Sequence, residues 1–160
     1  MAKVNFVKSA RKDIEHAGIK KGESYYWWQA NRFTGKQYSK TQPKPSQTAS
    51  TDFERTIFSL QERIDADEFF TSAESAVDDI SEITSEIESM RDEEQEKLDN
   101  MPEGFQQGPT GERIQERIDQ AEQIISELES IDVDFDPEGN ETAGEFRDRV
   151  KNDVANALAV

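Results

Sequence analysis

Cysteine is absent from the 160 residues and histidine occurs once, as His16. Without thiols there is no disulfide and no thiolate metal site, and with one histidine neither a zinc cluster nor a Cys/His or Ser/His nucleophile system can be assembled. Glycine-rich phosphate-binding patterns are also missing. Carboxylates are abundant, yet in so acidic a chain no pair stands out as a general acid and base. The chain is therefore expected to be non-enzymatic. No stretch approaches the roughly 20 apolar residues of a membrane span, and the opening MAKVNFVKSARKD has no apolar signal-peptide core, so a soluble, intracellular protein without a membrane partner is expected.

Apolar residues are scarce as well: 33% of the chain is hydrophobic and 34% charged. The apolar positions are periodic, however, which points to thin helices and not to general disorder. The net charge of −16 is unevenly spread. Residues 1–50 carry ten Lys/Arg against three Asp/Glu, a balance of +7, and residues 51–160 carry the remaining −23. Segment asymmetry of this kind suggests two different partners or an internal contact.

The basic segment contains AGIKKGES, a turn bracketed by Gly18 and Gly22, followed by SYYWWQANRFTGKQYSKT. Alternation puts Tyr25, Trp27, Gln29, Asn31 and Phe33 on one face of a strand and Tyr26, Trp28, Ala30 and Arg32 on the other. Thr34 and Gly35 reverse the chain and Lys36 to Thr41 return it, forming a β-hairpin. TQPKPSQTAS reads as an extended linker because of Pro43 and Pro45. Thr51 and Glu54 have capping-box spacing, and Phe53, Ile57, Leu60 and Ile64 follow at helical intervals. Val77, Ile80, Ile83, Ile87, Met90, Leu98 and Met101 form one narrow stripe; Ile114, Ile118, Ala121, Ile125, Leu128 and Ile131 form a second, its helix capped by Thr110. The breaker-rich PEGFQQGPTG between them predicts an antiparallel helical hairpin, closed on itself or paired with a second copy. A last helix shows Ala143, Phe146, Val150, Val154 and Ala157 on one face.

The stretches VNFVKSARKDI, AGIKKGESYYWW, YSKT and LDNMPEGFQQGPTGERIQERI resemble bacteriophage and prophage proteins described only as coil-containing. The resemblance reaches to about residue 132 and implies a phage origin and a place in the cytoplasm of an infected bacterial host, with no activity or catalytic residue to carry over. A narrower similarity, over Trp27 to Thr41, is to the N-terminal arm-binding hairpins of phage-type tyrosine recombinases.

Three constellations could bind something. Tyr26, Trp27 and Trp28 with Arg32, Lys36 and Lys40 suit stacking on unpaired bases plus phosphate contacts, the plain alternative being the core of a small head. Asp78, Glu82, Glu86, Glu93 and Glu96 lie near one helix face, about a turn apart, where carboxylates approximate a row of phosphates; the alternative is a solvated coiled-coil face. Asp134, Asp136, Glu138, Thr142 and Glu145 occupy positions 1, 3, 5, 9 and 12 of an EF-hand-like loop, although Pro137 and Glu141 depart from that pattern.

The expected architecture is mainly α: a small basic head with a β-hairpin (residues 1–42), a Pro/Ser/Thr linker (43–50) and an acidic body (51–160) containing a coiled-coil-like helical hairpin, about 73–131, and a C-terminal helix, about 142–158. The leading functional expectation is a phage-type binding protein that inhibits or modulates a host or phage macromolecular machine, its acidic arm mimicking nucleic acid before a partner protein with a basic surface. The alternatives are an accessory protein that binds nucleic acid through the head, and a structural or assembly component that self-associates through its coil. No cofactor is expected apart from Ca²⁺ at the 134–145 segment.

Overall fold

A computed structural model of the chain describes residues 1–30, 34–135 and 141–159. The protein is mainly helical with one small three-stranded antiparallel sheet at the N-terminal end, in agreement with the fold class read from the sequence. Two compact units are present, Met1–Ser59 and Leu60–Val160.

In the first unit, β1 (Asn5–Val7), β2 (Tyr25–Trp28) and β3 (Gln37–Ser39) pair in the order β1-β2-β3. The hairpin is thus extended by a third strand, and the aromatic strand lies at its centre. Register sets Asn5, Phe6 and Val7 opposite Trp27, Tyr26 and Tyr25, and Tyr26, Trp27 and Trp28 opposite Ser39, Tyr38 and Gln37. β1 supplies the extra pairing that a lone two-stranded hairpin lacks. Between β1 and β2 the chain makes a pinned loop. Ala10 exchanges backbone hydrogen bonds with Glu23 and Gly22 at 2.8 and 2.9 Å, and Ile14 with Ile19 at 2.8 and 3.2 Å. Gly18 and Gly22 close its turns at φ +62° and +92°, a region that residues with a Cβ rarely enter.

The expected extended linker at 43–50 is partly helical. Pro45 occupies the first turn of α1 (Pro45–Thr48), where its missing N–H leaves no hydrogen bond unmade. Lys44 N–H donates to the Gln47 side chain at 2.9 Å, and Thr48 and Ala49 are buried. α2 (Asp52–Asp65) then starts where Thr51 and Glu54 predict, with Glu54 N–H donating to Thr51 Oγ1 at 3.1 Å.

In the second unit, α3 (Ala76–Asp99) and α5 (Pro109–Glu129) pack along each other within one chain, and α6 (Ala143–Ala157) packs on both. The two stripes therefore bury each other. Ile80, Ile83, Ile87 and Met90 of α3 meet the solvent-free side of α5, where Ile114, Ile118, Ala121, Ile124, Ile125 and Leu128 are buried. Each isoleucine, leucine or methionine among them contributes on the order of 1.5–3 kcal/mol on burial. Two stripe assignments change. The first α3 position belongs to Ala76, since Val77 is 56% exposed, and the turn after Met90 belongs to Glu94, a carboxylate only 2% exposed.

Glu94 is matched from both helices. Arg117 of α5 donates through Nε and Nη2 to Glu94 Oε2 at 2.8 and 2.5 Å, and Lys97 donates to Oε1 at 2.7 Å. A second clamp gathers around Arg63 at the end of α2. Its guanidinium reaches Glu82 at 2.7 Å and Glu86 at 2.5 Å and lies over the Phe69 ring at 4.3 Å. Burial disfavours the charged Arg63, but the hydrogen bonds to Glu86 and Glu82 outweigh it and raise its pKa. Next to it the chain turns sharply. Phe70 takes φ +56°, which costs about 1–2 kcal/mol in a residue with a Cβ, and the turn is held by burial of the ring and by its N–H donating to Asp79 Oδ2 at 2.6 Å.

The hairpin tip is built tightly. Its second helix is capped by Gly108 with Pro109 in the first turn, two residues before the expected Thr110. Gly111 faces the short helix α4 (Glu103–Gln106) so closely that a Cβ there would stand 1.9 Å from the Gln106 carbonyl oxygen.

The Glu94 clamp makes a direct prediction. Arg117→Ala leaves a buried carboxylate with only the half-exposed Lys97, and should destabilise the protein by roughly 3–5 kcal/mol in urea unfolding, whereas Glu94→Leu/Arg117→Leu should recover most of that loss. A change of less than about 1 kcal/mol for Arg117→Ala, the level of an exposed pair, would contradict the clamp.

Candidate nucleic-acid interface

The sheet presents two unlike faces. Phe6, Tyr26, Trp28, Gln37 and Ser39 share one by register, and Asn5, Val7, Tyr25, Trp27 and Tyr38 share the other. On the first, the Phe6 and Tyr26 rings pack at a tilt of 48° with centroids 5.1 Å apart. Trp28 is only 5% exposed and its indole N–H donates to the Gln47 carbonyl at 2.8 Å, so it is a core residue and offers no stacking surface.

Phe6 is 59% exposed and Tyr26 half-buried, so rings are open on the first face too, but the cations lie beside the second. Tyr25, Trp27 and Tyr38 are half-buried, the two tyrosine rings lie 6.0 Å apart, and His16 meets Tyr38 edge-on at 5.3 Å. Lys36 Nζ sits 4.5 Å above the Trp27 ring, a cation–π contact that holds the ammonium at the rim of this face. Beyond Tyr25 and Tyr38 the face continues into a cleft of about 740 Å³ whose wall includes Arg11, Lys12 and His16. Arg11 and Lys12 make no hydrogen bond or ion pair among the described residues.

Of the six head residues singled out in the sequence, Trp27 and Lys36 belong to this face. Tyr26 and Trp28 lie on the opposite one, and Arg32 lies outside the described residues. Lys40 pairs with Glu23 at 3.0 Å, a contact between exposed groups that is weak enough to exchange. The Glu23 carboxyl is held below its usual range by the backbone N–H of Lys20 and then by Lys40. Tyr25, Tyr38, His16, Arg11 and Lys12 complete the surface and were missed. The alternation already placed Tyr25 with Trp27; the contribution of the 10–23 loop depends on backbone pairing that has no local sequence signature.

The acidic row is less uniform than its spacing implied. Asp78, Glu93 and Glu96 are exposed and make no side-chain pairing among the described residues, but Glu82 and Glu86 are both bound by Arg63. Two of the five carboxylates thereby share one guanidinium, which offsets at most one of their two charges, and the regular phosphate-like spacing is interrupted.

The EF-hand-like segment divides differently. Asp136 and Glu138 lie outside the described residues. Thr142 is the N-cap of α6: its N–H donates to Glu145 Oε2 at 2.9 Å, and Glu145 N–H donates back to Thr142 Oγ1 at 3.3 Å. The Thr-x-x-Glu spacing is thus used as a capping box, and the carboxylate expected as the closing calcium ligand is occupied by backbone. Asp134 is exposed, and no cluster of three metal-binding side chains occurs among the described residues. Arg149 reaches Glu141 at 3.0 Å and the Asp132 carbonyl at 2.9 Å, tying the segment before α6 to that helix.

No protein family, curated protein or solved structure gives a significant match to the chain. Among the described residues no helix is long and apolar enough to cross a membrane.

The capping box predicts a pH signature. The Thr142 backbone N–H and then its hydroxyl lower the Glu145 pKa. A carboxyl whose folded pKa is depressed stabilises the fold above its unfolded pKa of about 4.3 and loses that contribution as the pH falls through the lower folded value. Glu145→Ala should therefore be less stable than wild type at neutral pH, with the gap narrowing below about pH 4. A gap independent of pH across that window would contradict the assignment.

Proposed function

We propose that the chain is a non-enzymatic binding protein whose first unit takes single-stranded nucleic acid on the Tyr25–Trp27–Tyr38 face. The observation that carries this reading is the placement of three half-buried rings on one sheet face, with Lys36 at one margin and Arg11 and Lys12 at the other. Unpaired bases stack on such rings without regard to sequence, while the cations meet the phosphates. The −23 balance of residues 51–160 repels the same ligand and confines contact to the first unit. Mimicry by the acidic row is the weaker reading because Arg63 already binds Glu82 and Glu86 and interrupts the row.

Fluorescence anisotropy with labelled single- and double-stranded oligonucleotides tests this. Single-strand binding should fall with salt at a log–log slope of about −2 if three cations each displace a counterion. Trp27→Ala should weaken it by about five- to 150-fold, the worth of one stacked base. Phe105→Ala, at an exposed ring of α4, should leave it unchanged. No binding at low salt, or binding indifferent to Trp27→Ala, would overturn the proposal.

A further inference from the structure

The cleft beside the aromatic face has features that a flat stacking surface does not need. Its volume of about 740 Å³ falls within the roughly 300–1,000 Å³ range of small-ligand sites. It is lined by two kinds of groups. Tyr25, Tyr38 and His16 supply flat rings, the last held edge-on to Tyr38 with its plane turned by 73°. Arg11 and Lys12 supply cations with no partner among the described residues. Of the acidic groups in the wall, Asp13 accepts the Lys21 backbone N–H at 2.6 Å and is committed to that turn, which leaves Glu15 as the one carboxylate unpaired among the described residues.

The wall is preformed. The 3-10 turn Glu15–Ala17 that carries His16 is closed by Gly18 N–H donating to the Glu15 carbonyl at 3.0 Å, and the reciprocal Ile14–Ile19 bonds fix its base. Ala10, next to Arg11, is tied to Glu23 and Gly22. Preorganised side chains of both kinds lower the ordering cost of binding.

We infer that this cleft is a pocket for one nucleotide, with the base against Tyr38, Tyr25 and His16 and the phosphate on Arg11 and Lys12. The inference rests on the nucleic-acid reading of the same unit and deepens it. A strand that crosses the sheet leaves one nucleotide seated in the pocket, and a free nucleoside monophosphate occupies the same place. Guanidinium and ammonium together suit a phosphate, and a ring-lined slot suits a purine or pyrimidine.

The test is amide NMR of the full-length protein titrated with adenosine 5′-monophosphate, adenosine and inorganic phosphate, beside oligonucleotide anisotropy on the same samples. The monophosphate should shift amides of residues 9–16 and Tyr38 and bind more tightly than adenosine or phosphate. Arg11→Ala and His16→Ala, both at exposed positions, should each weaken it by about fivefold or more. Shifts by phosphate equal to those by the monophosphate, shifts confined to Trp27 and Lys36, or no response at millimolar monophosphate would overturn the pocket. If the oligonucleotide still binds through Trp27 in that case, the strand reading stands without it. If the monophosphate binds as expected and the oligonucleotide does not, the pocket stands and the strand reading falls.

Discussion

A single buried carboxylate governs the register of the acidic helices. Glu94 occupies a position of the α3 stripe that would otherwise be apolar, and it is satisfied only where Arg117 of α5 arrives opposite it with Lys97 one turn away. Isolated in the interior, such a charge costs several kcal/mol. Sliding α5 by one heptad would replace Arg117 with Ile124 or Thr110 and leave Glu94 without its guanidinium. Narrow isoleucine stripes alone would tolerate that slide, so the ion pair, and not the apolar content, selects one alignment. Arg63 plays the corresponding part at the other end of α3, binding Glu82 and Glu86 while covering Phe69.

This economy follows from composition. In a chain with about as many charged as hydrophobic residues, the second unit has two clamps where a larger core would have more packing. The first unit solves the same shortage with aromatics. Trp28 is spent on the core, joined to Gln47, while Tyr25, Trp27 and Tyr38 remain half-buried on the other face. Large rings kept partly exposed beside cations, in a protein with few apolar residues to spare, are the basis of the binding proposal.

Much of this was legible in the sequence where a pattern is long. The four-and-three spacing of Ile80 to Met90 and of Ile114 to Leu128 marks the helical hairpin, and continuing the first series by four residues reaches Glu94. The charge there made it look like surface. β1 was not legible, because three residues carry no period and their pairing is long-range. Thr142 and Glu145 show how one spacing serves two structures: Thr-x-x-Glu fits the end of a calcium loop and also a helix N-terminus, and only the hydrogen bonds distinguish them. In the head, alternation separated Tyr25 and Trp27 from Tyr26 and Trp28, but that Trp28 alone of the four is buried depends on α1, hidden behind two prolines that suggested an extended chain.

The central claim is that the working surface is the Tyr25–Trp27–Tyr38 face of the first unit. Its most direct measurement is ultraviolet crosslinking of the full-length protein to a single-stranded oligonucleotide, followed by peptide mapping of the adducts. The account predicts adducts on Tyr25, Trp27 or Tyr38 and none on the Phe6 side of the sheet or on α3 and α5. Adducts confined to those other surfaces, or none in conditions where a known single-strand binder is labelled, would contradict it.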